Sequence, residues 1–163
     1  MKKKIEFLHC GENLKENYQN EIKEILQIVD SIKWKKEFKV SNYFHQTAYN
    51  KRFKIEFDKL GWESQPKLSD KPSLVGDFKK NLVFVEVQFG NSSTLYRDFY
   101  KFQYGVSNGL VSLNVLITPC NPEKFFPTRP ASVRNMAEYD LALRYFTVIP
   151  ISVPTMVIGL VPI

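Results

Sequence analysis

The sequence predicts a mixed α/β fold, a central sheet with helices on both faces, and three observations predict it. Leu14, Tyr18, Ile22, Ile25, Val29 and Ile32 recur at helical spacing. The stretch from Leu74 to Gly90 switches to alternation with a period of two, the signature of strands. A second helical stripe, Leu95, Phe99, Phe102 and Val106, follows, and an apolar run from Thr155 to Val161 closes the chain. Alternating helical and extended segments bury their apolar sides as stacked layers.

Composition bounds the rest. The 163 residues, 44% hydrophobic and 14% aromatic, suffice for one packed domain spanning 1–163 without disulfides. No apolar run is long enough to span a bilayer, and the start, Met1-Lys2-Lys3-Lys4-Ile5-Glu6-Phe7-Leu8, is broken by Glu6 and too short for a signal peptide. The expectation is a cytoplasmic protein with a solvated Lys2–Lys4 terminus. Cys10 and Cys120 read as free thiols, and His9 and His45 lie near no nucleophile pattern, which argues against disulfide, zinc and histidine-based chemistry. The net charge of +6 favours an anionic partner, most often nucleic acid.

In chain order, the first stripe predicts one long amphipathic helix with Asn13 as its N-cap. Its Glu21 and Glu24 read either as partners of nearby lysines or as acids that reach a metal site. Trp34 to Phe44 reads as a linker or short strand. A helix over 46–60 turns Phe53, Phe57 and Leu60 inward and stops at Gly61. Asn50, Lys51 and Arg52 near its start suit phosphate, or are a solvated face. Trp62 to Leu68 is a candidate strand, and Asp70 belongs to the turn after it.

Leu82, Phe84, Glu86 and Gln88 share one strand face, and Val83, Val85 and Val87 the other. With Lys80-Asn81 as a two-residue turn, Phe78 pairs with Val83, and Asp77 lies diagonal to Glu86, roughly 7–8 Å away. Two readings fit. The carboxylates converge on a hard divalent cation such as Mg²⁺, with a strand carbonyl such as that of Val87 as a further ligand, or they are ordinary polar residues on the wet face of a half-exposed strand.

Beyond the hairpin, Ser93 or Thr94 caps the next helix, whose polar side carries Arg97 and Lys101, suited to phosphate or to solvent alone. Leu110 to Thr118 reads as a buried strand. The proline-rich segment 119–130 reads as a long loop in a DNA groove, with Lys124 and Arg129 in it and Arg134 just beyond. Ser132 to Phe146 reads as a helix with Met136, Leu141, Leu143 and Tyr145 partly inward, and 155–161 as a last core strand. No internal repeat is present.

Asp77, eight intervening residues, then Glu86-Val87-Gln88-Phe89-Gly90 resembles the active-site hairpin of the PD-(D/E)XK nucleases, in the variant where Gln replaces Lys. That variant marks the BglII/BstYI group of type II restriction endonucleases. The segment Tyr49 to Phe57 with Leu60-Gly61-Trp62, and the tail with Tyr139, Tyr145 and Val148 to Gly159, are similar to the same group. The resemblance implies the restriction-endonuclease-like fold, with Asp77 and Glu86 as Mg²⁺ ligands and Gln88 as a third catalytic residue that orients water. It also implies DNA contacts just past Gln88, with Asn91 first and Ser92 and Ser93 next to it. The substrate would be double-stranded DNA at a short palindromic, GATC-containing site, cut by a homodimer that has a companion DNA methyltransferase. The chain departs from the group in being shorter, which puts a C-terminal recognition element in doubt. A DNA-binding protein that no longer cuts, or a structure-selective repair nuclease, are the rival readings on the same scaffold.

Overall fold

A computed structural model describes residues 1–149 and 151–163; Pro150, part of the tail compared above, lies outside the described residues. A six-stranded sheet organises the chain, in the order β1 (Lys2–Leu8), β10 (Thr155–Val161), β9 (Leu113–Pro119), β8 (Val83–Val87), β7 (Phe78–Lys80) and β4 (Glu63–Ser64). β8, β9 and β10 run parallel, and β1, β7 and β4 are antiparallel to their neighbours. β9 is buried throughout and β10 all but its last residue, which is why both read as continuous apolar runs.

Each sheet face carries its own core. Val83, Val85, Val115 and Ile158 pack under α2 (Gln19–Ser31) and α3 (His45–Lys59), through Ile25, Val29, Phe53 and Phe57. Phe84, Leu116 and Val157 pack under α4 (Thr94–Ser107) and α6 (Tyr139–Val148), through Leu95, Phe99, Phe102 and Phe146. The alternation along β8 therefore sorts its side chains as expected, valines to one face and Phe84 to the other.

Local expectations differ from the structure in several places. The N-terminal stripe forms two helices, α1 (Glu12–Asn17) and α2, because Tyr18 leaves helical geometry at φ −112° and ψ 22°. Asn13 lies inside α1, whose N-cap is Gly11. Lys2–Lys4, exposed at Lys2 and Lys4 as a solvated terminus requires, also begins an edge strand paired along its length with β10, and lysines are a common means of blunting such an edge. Segment 39–44 is a small hairpin, β2 (Lys39–Val40) with β3 (Tyr43–Phe44). The strand expected at 62–68 splits into β4 and β5 (Lys67–Ser69), the latter paired with β6 (Leu74–Val75), because Gln65 turns the chain at φ 55°.

The proline-rich segment 119–130 is pinned rather than loose. It contains α5 (Pro122–Phe125), capped by Asn121 Oδ1 accepting from Lys124 N at 2.9 Å, and buries Phe125 and Phe126 against Tyr49 and Phe89. The helix expected from Ser132 begins only at Tyr139. Ser92 N donates to Asn135 O at 2.7 Å and Ala137 N to Gly90 O at 2.9 Å, so the backbone of 135–137 is committed to the loop after β8 and cannot close helical turns.

Candidate active site

The hairpin register is Phe78 to Val85, Lys79 to Phe84 and Lys80 to Val83. Its turn is therefore Asn81-Leu82 and not Lys80-Asn81, with Asn81 taking the positive φ of 53° that an amide side chain tolerates and a lysine adopts less readily. The shift is two residues, which leaves every side chain on its expected face. Continued one residue beyond the Phe78 pair, the register sets Asp77, just before β7, level with Glu86 instead of diagonal to it.

That face is not wet at this point. Glu86 is 4% exposed, beneath α4. Two residues of α4 close over it: Asp98, 2% exposed, and Lys101, 5% exposed. Lys101 Nζ donates to Glu86 Oε1 at 2.7 Å and lies 3.2 Å from Asp98 Oδ1. Gln88 Nε2 donates to Asp98 Oδ2 at 2.6 Å, and Gln88 Oε1 accepts from Gly90 N at 2.8 Å. Asp77 Oδ2 accepts from Val87 N at 2.7 Å, which fastens the carboxylate across the hairpin.

Three carboxylates share this site with one ammonium. Burial pushes Asp77 and Asp98 above the usual carboxylate range. Glu86 is pushed well above it, first by burial and then by the charges of Asp77 and Asp98. Burial opposes the charge on Lys101, yet Glu86 and Asp98 outweigh it and raise its pKa. The donor set is hard oxygen with an excess of negative charge, and this fits a hard divalent cation. Among the described residues no three His, Cys, Asp or Glu side chains are set as a closed metal cage. Mg²⁺ does not need one, since it takes one or two protein carboxylates and leaves its other positions to water and phosphate oxygens.

The backbone beside Asp77 is tightly placed. A Cβ on Gly76 would lie 2.2 Å from the ring of Phe84, a core residue with no exposed surface. Gly76→Ala should destabilise the protein by about 1–3 kcal/mol, the usual range for forcing an extra methyl into a packed core. Thermal unfolding checks this, and an unchanged Tm would mean that the ring can move aside.

Two clefts meet at Asp77. One, about 270 Å³, takes in Glu86, Val87, Gln88, Arg97 and Lys101. The other, about 340 Å³, lies along α3 and takes in Tyr43, Asn50, Lys51 and Lys54. Asn50 and Lys51 thus share a cleft with Asp77, and Arg97 shares one with Asp77, Glu86 and Asp98. A third recess, about 150 Å³, holds Asn91 with Gln46, Ser132 and Asn135. Asn91 Oδ1 accepts from Ser93 N at 2.9 Å, bracing the entry to α4, while the side chains of Ser93 and Thr94 make no N-cap bond. Ser92 is fixed through its backbone to Asn135. Arg129 donates to Gln46, which places it behind this recess, whereas Lys124 is exposed on α5 and lines none of the three.

Glu21 and Glu24 do not join the carboxylates. Glu24 accepts from Lys80 Nζ at 2.8 Å and from Trp62 Nε1 at 2.8 Å, and Glu21 accepts from Asn81, so both tie α2 to the turn end of the hairpin, the end away from Asp77. Asp70 pairs with Lys67 in the turn. Asp98 escaped the sequence reading, and Lys101 was read there as facing phosphate or solvent. For Asp98 the signal is present in its spacing. Leu95, Asp98, Phe102 and Gly105 form one stripe at i, i+3, i+7 and i+10, and all four are buried.

No curated protein matches the sequence significantly. Among solved structures, restriction endonuclease BglII in complex with a DNA 16-mer superposes with a TM-score of 0.81 at 17% identity. The match covers 100% of this chain and 79% of that one, and at this identity it establishes the restriction-endonuclease fold. The sequence profile of the family described as restriction endonuclease BglII/BglIII matches residues 3–160, nearly the whole chain. The chain belongs to the BglII/BglIII restriction endonuclease family.

Proposed function

We propose that the protein is a Mg²⁺-dependent type II restriction endonuclease that hydrolyses phosphodiester bonds in double-stranded DNA at a short palindromic site. The observation that carries this reading is the convergence of Asp77, Glu86 and Asp98 in one cleft that also holds Gln88, Arg97 and Lys101. Asp77 and Glu86 would hold the cation, with the Val87 carbonyl beside them. When bound, Mg²⁺ would polarise the scissile phosphate and lower the pKa of an attacking water.

The chain's own residues do the rest. Val87 N fixes Asp77, and the Gln88 amide, braced by Asp98 and Gly90, presents a neutral polar group that orients water in the cleft. Arg97 on one side and Lys51 with Lys54 on the other supply positive charge on either side of Asp77, along which a phosphate backbone can run. The recess of Asn91, Gln46 and Asn135 concentrates amides, which read adenine edges in the major groove.

A palindromic site calls for a two-fold dimer, each copy cutting one strand. The surface best suited to a partner copy is the exposed aromatic side of α4 and α6, where Tyr96, 51% exposed, stacks on Tyr145 and Tyr100 is 52% exposed. A cytoplasmic nuclease of this kind requires its host's own sites to be protected, hence a companion DNA methyltransferase. By likeness to the group, the target contains GATC.

Asn91→Ala should weaken sequence discrimination by about 1–3 kcal/mol. Because Asn91 also braces α4, Asn91→Asp is the companion variant: it keeps the acceptor for Ser93 N and loses the amide donor. Loss of discrimination in both variants, with unfolding unchanged in the second, assigns base reading to the amide. Full discrimination in either leaves Asn91 as a turn brace.

The test of the whole reading is incubation of unmethylated plasmid with the purified protein, with Mg²⁺ and with EDTA. Discrete Mg²⁺-dependent fragments support a site-specific nuclease, and their ends give the sequence. Cleavage confined to branched substrates would replace the reading with a structure-selective nuclease. Salt-sensitive binding without cleavage would replace it with a non-catalytic DNA binder.

A further inference from the structure

Lys101 is the buried cation of the site, and neither packing nor the hairpin accounts for it. It comes from α4, outside the hairpin, and is 5% exposed, yet its ammonium is held by Glu86 and Asp98 at 2.7 and 3.2 Å. Packing alone does not call for charges here, because a buried ion pair replaced as a whole by apolar side chains of similar volume is often no less stable. The polar residues that follow Glu86 supply no positive charge: Gln88 is neutral and faces Asp98. Among the described residues, the cations lining this cleft are Lys101 and Arg97, and Arg97 is exposed to solvent.

Resting on the nuclease reading above, we propose that Lys101 is a positioning residue, the built-in counter-cation of the Asp77, Glu86 and Asp98 cluster. It holds Glu86 until a divalent cation competes for that carboxylate, and its ammonium then remains in the cleft as positive charge for the phosphate. Asp98 is its tether. Bonded to Gln88 on one oxygen and facing Lys101 with the other, it keeps the ammonium at the site once Glu86 is given up. Charge supplied in this way from a fixed, water-poor position stabilises negative charge that develops on a reacting phosphate.

The test uses wild type, Lys101→Met, which keeps an unbranched stem, and Asp98→Asn. Mg²⁺ is titrated calorimetrically into each protein without DNA, and plasmid cleavage is then measured at saturating Mg²⁺. Lys101→Met is expected to bind Mg²⁺ at least about tenfold more tightly, because a competing positive charge a few ångströms away is gone. It is also expected to cleave at least about a hundredfold more slowly. A merely structural lysine would lose affinity and rate together with Tm.

Equal or weaker Mg²⁺ binding by Lys101→Met overturns the proposal, and so does cleavage at the wild-type rate. If Lys101→Met shows no cooperative unfolding, Asp98→Asn decides. There Lys101 has Glu86 as its remaining ionised partner, so Mg²⁺ binding should weaken, and unchanged or tighter binding overturns the proposal. A wild type that binds Mg²⁺ but cuts no DNA sinks the nuclease reading, while the order of affinities still decides the counter-cation role. No Mg²⁺ binding by wild type or by Lys101→Met overturns that role.

Discussion

Glu86→Gln should reduce Mg²⁺-supported cleavage at least about a hundredfold, the scale of loss when one group that organises transition-state charge is removed, while leaving the fold intact. The reasoning turns on what surrounds the carboxylate. Glu86 is 4% exposed and one of three carboxylates in the cleft, where Lys101 pairs with it and with Asp98. Gln keeps the shape and an oxygen that still accepts from Lys101, but it removes the negative charge that would hold the cation. It also removes like-charge repulsion with Asp77 and Asp98, so the Tm of the cation-free variant should equal or exceed that of wild type. Alanine is a poorer probe. Glu86→Ala leaves Lys101 buried with Asp98 as its remaining partner, and breaking a buried pair typically costs about 3–5 kcal/mol, so lost cleavage there is confounded with lost structure. Asp77→Asn is the matching variant on the other strand, and it keeps an oxygen to accept from Val87 N. Plasmid cleavage alongside thermal unfolding checks both; full cleavage by Glu86→Gln would remove Glu86 from the site.

Periodicity made much of this architecture legible. The valines of β8, the stripe of α3 around Phe53 and Phe57, and the run that became β10 each bury the faces their spacing indicates. The two hairpin carboxylates were legible as well, because a two-residue error in register leaves the face unchanged. What stayed hidden depended on tertiary partners. Lys101 on a helix reads as solvated, and only the end of β8 beneath α4 makes it a buried counter-ion. Lys2–Lys4 reads as a solvated terminus, and only β10 makes it the start of a strand. Residues 132–138 carry a helical pattern, yet the loop after β8 takes the backbone hydrogen bonds of Asn135 and Ala137. In each case the missing information was a neighbour distant in sequence.

The cation-free protein should lose stability as pH rises above the ordinary carboxylate pKa of about 4, and Mg²⁺ should remove that loss. Asp77, Glu86 and Asp98 all hold their protons more tightly in the folded chain than carboxylates ordinarily do, first of all because they are buried. A group with a raised folded pKa binds more protons in the native than in the unfolded state, so unfolding becomes easier as pH climbs. The contribution is complete below the ordinary carboxylate pKa of about 4 and declines through the raised values, by about 1.4 kcal/mol for each tenfold difference in proton affinity. Lys101 titrates above this window and does not alter its sign. Charge repulsion in a protein of net charge +6 works the other way at acid pH, so the informative quantity is a difference between proteins. Glu86→Gln lacks the most strongly displaced group, and its Tm should fall less steeply with pH than that of wild type. On the proposed reading Mg²⁺ would bind the ionised carboxylates of the native state alone, so saturating cation should raise the wild-type Tm most at the alkaline end, where protons no longer neutralise the cluster. Thermal unfolding of both proteins across this range, in EDTA and in Mg²⁺, gives the answer. Parallel slopes in EDTA would show that Glu86 is ionised as easily in the folded chain as in the unfolded one. An equal Mg²⁺ increment at both ends of the range would place the cation away from these carboxylates.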